Sequence, residues 1–259
     1  MISTNKPRSN ELKKITREFL ETAPDVYMPG VSVDSVIFGF HDDKLKVLLS
    51  YLGDPPSFGL PGGFVMKNED LDDAALRILQ ERTGFENIYL EQFYTSGKKN
   101  RSNGKILKEL MEKVIGKMPE NNWFLQRFVS VCYYALIDDT KVKPSAEVIF
   151  GEFKWFDINR LPKLIFDHHL IIKKALATLR SDLDEKLVGS NLMSETFTMN
   201  ELQRLYEAVY QVKLVRTNFQ RKMLGLGVLE RLEKQYNGKS HKAPYLYKFS
   251  NTKRKSQHA

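Results

Sequence analysis

The chain has 259 residues, 42% of them hydrophobic, a formal net charge of +8 and one cysteine. That length suits one large domain or two modest ones, and the apolar fraction argues against a largely disordered chain. A lone cysteine excludes a disulfide framework, no stretch approaches the ~20 apolar residues of a membrane span, and no signal-peptide core begins the chain; a cytoplasmic protein with no membrane partner is expected.

The charge is unevenly placed. From Asn191 onward there are 13 Lys+Arg against 5 Asp+Glu, an excess equal to that of the whole chain, so the first 190 residues are electroneutral. Two domains with different partners are expected. The basic one either meets a polyanion or keeps a basic face for solubility.

Residues 1–10 read as disordered, and Glu11–Glu21 as a helix with Leu12, Ile15, Phe19 and Leu20 on one face, broken by Pro24 and Pro29-Gly30. This arm, residues 1–30, packs either on the first domain or on a second subunit. Val31–Phe40 and Lys44–Leu52 are strand-like runs joined as a hairpin at His41-Asp42-Asp43. Gly62-Gly63 and the apolar Phe64-Val65-Met66 then lead into a helix. Asn68 is its expected N-cap, and Glu69, Asp70, Asp72 and Asp73 suit the positive end of the helix dipole. Leu71, Ala74, Ala75, Ile78 and Leu79 recur at helical spacing, and Gly84 is placed for a left-handed cap.

Ile88–Tyr94 and Phe128–Ile137 read as further strands, the latter enclosing Cys132 as a structural core residue. Between them lies an insertion, 97–122. A basic loop, 97–104, precedes a helix with Ile106, Leu107, Leu110, Met111, Val114 and Ile115 at helical spacing. It either lids a pocket or covers an exposed sheet face. Asp167–Leu183 reads as a helix capped by Asp167, with Leu170, Ile171, Ala175, Leu176 and Leu179 as its stripe. His168 and His169 are adjacent and so diverge on a helix, which speaks for packing rather than a shared metal.

The basic quarter opens with a capping box, Thr198-Met199-Asn200-Glu201, and a helix to Tyr210. The turn Gln211-Val212-Lys213 leads to a second helix over Val215–Leu224. With Phe219 and Met223 inward, Arg216, Thr217, Asn218, Gln220, Arg221 and Lys222 face outward. Strands over Val228–Tyr236 and Pro244–Ser250 flank a tip carrying Lys239, His241 and Lys242. This is the plan of a winged helix-turn-helix. Arg and Asn suit base edges in the major groove, Lys suits phosphates, and these nine side chains are the candidate DNA-binding set.

Two stretches carry a resemblance. Residues 62–85 resemble the Nudix box, matching it at Gly63, Glu69, Arg77, Leu79, Glu81, Gly84 and Phe85. The box departs at Ile78 and Arg82, where the family has carboxylates. Positions 78, 81 and 82 share a helix face, so Glu81 alone would remain beside a cation, too little for Mg²⁺. Phe150–Pro162 is similar to the last Nudix strand running into a short helix ending in Leu-Pro.

Together with Phe166-Asp167-His168, FTMNELQRLYEAVY and RTNFQRK, the chain resembles the bacterial Nudix-related transcriptional regulators over Val31–Phe249. The resemblance implies an α+β protein: a Nudix-like α/β/α sandwich over 31–165, a linking helix over 166–190, and a winged helix-turn-helix over 191–259. It implies no catalytic residues, no metal or cofactor, a homodimer on palindromic double-stranded DNA, and a small-molecule effector in the former substrate cleft near Phe64, Glu81, Arg82 and Arg127. One branch of the family senses ADP-ribose and controls NAD genes; another senses arabinose and controls sugar genes. The altered box points to the sugar-responsive branch and carbohydrate utilisation. The alternatives are ADP-ribose sensing, a Nudix pyrophosphatase with an accessory basic domain, and a non-catalytic RNA- or protein-binding module.

Overall fold

A computed structural model describes residues 9–52, 57–84, 88–101, 104–119, 122–137, 152–185, 188–235 and 243–250. The first element, α1 (Ser9–Val26), runs past Pro24 into its last turn. The expected break at Pro24 fails because Leu20 and Ala23 anchor the helix end in a buried cluster. A seven-stranded sheet follows, made of β1 (Tyr27–His41), β2 (Lys44–Leu52), β3 (Ser57–Gly59), β4 (Gly62–Met66), β5 (Tyr89–Ser96), β6 (Val129–Ile137) and β7 (Glu152–Asp157).

Strand β1 is the spine. Along one side it runs parallel to β6, from Val31 opposite Val129 to Gly39 opposite Ile137. Along the other it pairs first with β4, up to Asp34 opposite Gly62, and then with β2 from Phe38 opposite Val47. The sheet therefore forks beside residues 34–38. Pro29-Gly30 does not end the strand. The register shifts there, between Tyr27 and Ser32, and Gly30 takes a φ of 74° that favours glycine.

Helix α2 (Leu71–Thr83) covers one face, where Ala74, Ala75 and Ile78 pack on Val33, Val65 and Tyr133. Its N-cap is Asp70 rather than Asn68. The Glu69 carboxylate is drawn back to the Met66 amide and to Arg77, so the chain turns once more before the helix starts. The Gly84 cap is left-handed, with its N–H donating to the Gln80 carbonyl at 2.7 Å. On the other face, α4 (His168–Glu185) lays Ile171, Ile172, Ala175 and Leu179 in a cluster with Val36, Phe38 and Tyr134. After β7 the residues 158–160 form a turn, not the short helix expected there.

The insertion holds α3 (Gly104–Ile115), and a 3-10 turn at Trp123–Leu125 follows it. Met111, Ile115, Trp123 and Phe124 bury against Leu20 and Ala23 of α1, so the N-terminal arm lies on its own first domain. Cys132 is fully buried, and burial pushes its thiol up to about 12.

The C-terminal unit has α5 (Met199–Tyr210) and α6 (Arg216–Gly225), with a small antiparallel sheet in the order β8 (Phe197–Thr198), β10 (Tyr245–Phe249), β9 (Leu229–Lys234). The Thr198–Glu201 capping box is formed in both directions. Leu202, Leu205 and Tyr206 of α5 belong to the same buried cluster as Leu179 and Leu183 of α4 and Val47 and Leu49 of β2. No helix among the described residues is long and apolar enough to cross a membrane.

Candidate effector cavity and nucleic-acid interface

A cavity of about 180 Å³ opens at the sheet fork. The glycine pair, Asp34, Ser50 and Leu60 come from the sheet side; Leu107 and Met111 from the insertion; Phe124 and Gln126 from the segment just after it; Phe166 and His168 from the head of α4. The insertion thus walls the cavity as well as packing on α1. Phe64 forms part of the wall and stacks edge-on to Trp123 at 4.8 Å between centroids, with Phe128 5.2 Å away. One end of the cavity is therefore backed by packed aromatic rings.

Arg82 lines the cavity but not as a surface charge. Its side chain is among the most buried in the protein, and Nε and NH2 donate to the Gly62 carbonyl at 3.4 and 3.1 Å. The missing side chains of Gly62 and Gly63 leave room for the Val33 carbonyl and for Ile78. Burial pushes the Arg82 guanidinium down to about 10, against the pull of Glu81, so it is still charged at neutral pH.

The expected common face of residues 78, 81 and 82 is divided three ways. Ile78 is buried in the α2 cluster, so close under β4 that a Cβ on Gly63 would meet it at 2.9 Å. Glu81 is absent from the cavity wall, because both its oxygens accept from Arg77 NH1, at 3.0 and 3.2 Å. Arg77 also holds Glu69 through two bonds, at 2.9 and 2.6 Å, and the Phe64 carbonyl at 2.9 Å. Its guanidinium is raised above its ordinary range, first by Glu69. Mg²⁺ does not fit these residues: an alkyl group, an ion-paired glutamate and a cation offer it no available carboxylate oxygen on this face. Among the described residues no group of three or more His, Cys, Asp or Glu could hold a metal ion.

Arg127 does not line the cavity either. It is exposed, and its NH2 donates to the Gly97 carbonyl at 2.6 Å, while its neighbours Gln126 and Phe128 line the cavity. Adjacent side chains of an extended segment point to opposite sides, and Arg127 takes the outer one.

Sequence reasoning did not assign Asp34, Arg101, Phe166 or His168 to the cavity, yet all of them line its wall. Arg101, buried, pairs with Asp34 at 2.7 Å and with Asp167 at 3.3 Å, and Asp167 also accepts from the Ser96 hydroxyl. The Leu60 N–H donates to His168 Nδ1 at 2.9 Å, which leaves the imidazole proton on Nε2, facing Asp34 Oδ1 at 3.7 Å. Burial lowers the His168 pKa and keeps the ring neutral. Phe166, edge-on to His168 at 5.5 Å, has φ at 52°, a left-handed conformation costing a non-glycine residue about 1–2 kcal/mol. Asp34 did carry a signal, being the sole charge in the apolar run 31–40. Arg101, in a loop of basic residues, carried none.

In the C-terminal unit, Phe219 and Met223 are buried and fix the roll of α6, with Phe219 edge-on to Tyr206 at 5.1 Å. Arg216, Thr217, Asn218, Arg221 and Lys222 are exposed and Gln220 is half-buried. Arg221 NH2 reaches Asn218 Oδ1 at 3.3 Å, placing these two on one outward stripe. Lys222 leans back over the Tyr206 ring at 5.7 Å. The turn before α6 is pinned by Glu207, which accepts from Lys213 at 2.7 Å and from the Leu214 N–H at 3.0 Å and is held down to about 2. Lys239, His241 and Lys242 lie outside the described residues.

The first domain also touches the second through polar contacts. Arg204 of α5 pairs with Asp43 of the β1–β2 turn at 3.0 Å, and Arg180 of α4 donates to the Val209 carbonyl at 2.8 Å and to Gln211 at 2.7 Å. The helix whose head walls the cavity therefore holds the helix that positions α6.

A model of the Nudix domain matches residues 28–179, more than half of the chain, and a model of the NrtR DNA-binding winged helix domain matches residues 189–249. A relative from Acinetobacter baylyi, the ADPR responsive transcriptional repressor NtrR, is 29% identical over 234 residues, covering 87% of this chain and 84% of that protein. The crystal structure of Shewanella oneidensis NrtR is similar with a TM-score of 0.64 at 27% identity, over 85% of this chain and 94% of that one. Its complex with a 27mer DNA gives 0.63 at 28%, over 85% and 93%. The expected kinship with the sugar-responsive branch is not supported, since the repressor among these relatives is named for its response to ADP-ribose. The chain belongs to the Nudix family, with a winged helix domain following its Nudix domain.

Proposed function

We propose that this Nudix-family chain is a transcriptional repressor that binds duplex DNA through α6 and the wing and is controlled by ADP-ribose, or a close relative of it, in the cavity at the sheet fork. The observation that carries this reading is the continuity of α4, whose head at Asp167-His168 belongs to the buried network around the cavity while its tail packs against α5. A ligand that prefers one arrangement of that head shifts the DNA-binding unit by its difference in affinity between the two states. The named response of the Acinetobacter relative supports ADP-ribose over a sugar. The aromatic backing at Phe64 suits a nucleobase, which an arabinose-sized ligand lacks. The division of residues 78, 81 and 82 supports a regulator over a hydrolase.

The test selects a preferred duplex from a random pool with the full chain and then follows release by fluorescence anisotropy. ADP-ribose, not arabinose, is expected to change the affinity for the selected duplex. Release by arabinose with no response to ADP-ribose would return the chain to the sugar-responsive reading.

A further inference from the structure

We propose that Asp34 and His168 form a hydroxyl-reading pair in the cavity wall, taking one sugar hydroxyl of the effector between carboxylate and imidazole. The proposal rests on the effector reading above and extends it to two residues and one chemical group.

The two side chains face each other across a gap that neither closes alone. His168 is 3% exposed and lines the cavity together with Asp34. Its Nδ1 is committed to the Leu60 N–H, so Nε2 carries the proton and can only donate. Among the described residues the acceptor that Nε2 faces is Asp34 Oδ1 at 3.7 Å, beyond hydrogen-bond range. A buried ring N–H left in this state is costly. An oxygen sitting about 2.8 Å from each of the two atoms would bridge them.

Both partners are held in place. Asp34 Oδ2 accepts from Arg101 NH2 at 2.7 Å, and Arg101 is anchored in turn by Asp167 at 3.3 Å, so Oδ1 is the oxygen turned to the imidazole. Two glycines leave room for the pair. A Cβ on Gly59 would meet the His168 ring at 3.3 Å, and one on Gly62 would meet Asp34 Oδ1 at 2.9 Å.

The chemistry of the gap selects a hydroxyl. The ligand atom has to accept from Nε2–H and donate to a carboxylate at once. A phosphate oxygen would be repelled by Asp34, an ammonium cannot accept, and a hydroxyl does both. A site built to bond a hydroxyl discriminates against an analogue lacking it, because its own polar groups are then left unpaired. Asp34 lies on β1 and His168 opens α4, so the bridging hydroxyl would tie the sheet to the helix that packs on α5.

Calorimetric titration of the full chain with ADP-ribose, and with analogues that each lack one ribose hydroxyl, tests this in wild type, D34N and H168N. D34N keeps an oxygen for Arg101 but turns a second donor toward Nε2–H. H168N keeps an acceptor for the Leu60 N–H but withdraws the donor from Asp34. At least one analogue should bind wild type roughly tenfold or more weaker than ADP-ribose. ADP-ribose itself should weaken by a similar factor in each variant, with that analogue losing little further. Analogues that all bind wild type as tightly as ADP-ribose, the result if water alone fills the gap, would overturn the proposal. So would a variant in which ADP-ribose keeps its affinity, or in which that analogue loses the full factor again. If one variant does not fold, the other decides; if neither folds, the wild-type series decides on its own, a strongly weakened analogue supporting the pair and a uniform series overturning it. Should arabinose bind and ADP-ribose not, D34N is read with arabinose. A loss of roughly tenfold or more would keep the hydroxyl pair and refute ADP-ribose as the effector, whereas unchanged affinity would overturn the pair. Binding of neither probe would overturn both.

Discussion

Replacing His168 with asparagine should remove one proton's worth of acid sensitivity from the fold. The imidazole is buried and accepts the Leu60 N–H, and its pKa is lowered from an ordinary 6.5 by burial first. Asp34 and Asp167 pull the other way, while Arg101 and His169 act with burial. A lowered pKa in the folded state means that the unfolded chain takes up the proton first. Stability is then fully present above the unfolded value near 6.5 and is lost as the pH falls through it. If the folded ring stays neutral throughout, the loss between pH ~7.5 and ~5.5 is about 1.4 kcal/mol, with a limiting slope of about 1.4 kcal/mol per pH unit below that range. Asparagine can offer an oxygen to the same amide and does not titrate. Urea denaturation of wild type and H168N across this range measures the difference. The stability advantage of wild type over H168N should shrink by that amount on acidification. A difference independent of pH, or one that grows in acid, would refute the neutral buried imidazole.

Three further outcomes are expected. With Mg²⁺ or Mn²⁺ the chain should release no phosphate from common Nudix substrates; metal-dependent turnover that disappears in E81Q would count against the reading of the α2 face. Phe219→Ala should cost about 3–5 kcal/mol within the C-terminal unit, seen as a lowered denaturation midpoint and loss of DNA binding. An unchanged midpoint would mean that α6 is not held by this ring. Arg221→Ala should narrow the ratio of selected to scrambled duplex affinity by about 1–3 kcal/mol. Lys239→Ala should instead weaken both duplexes alike and flatten the salt dependence by about one unit of slope; the reverse pattern would make the wing the reading element.

Helix α2 was legible because Leu71, Ala74, Ala75 and Ile78 keep a buried stripe and Gly84 closes it, both being local signals. What spacing could not supply was the fate of Glu81 and Arg82. Helical geometry makes them neighbours on one face, yet Arg77, one turn earlier, holds the glutamate, and the Gly62 carbonyl of β4 holds the arginine. Arg101 finds its carboxylates 67 and 66 positions away along the chain, at Asp34 and Asp167, pairings that no local pattern announces. In the C-terminal quarter the inward Phe219 and Met223 and the Thr198–Glu201 box were readable because each rests on spacings of three or four residues. The continuation of α1 past Pro24 was not, since the burial of Leu20 and Ala23 overrides the breaker.

The shared buried cluster of α4, α5 and β2 separates the unit of inheritance from the unit of folding. The family models leave residues 180–188 between them, but Leu179 at the end of the first, Leu183 in the gap, and Leu202 and Leu205 in the second all belong to one cluster. A fragment beginning at the winged helix would expose the apolar side of α5 that α4 now covers. Grafting this DNA reader onto a different sensor would therefore require carrying α4 with it and building a new surface for that helix to rest on.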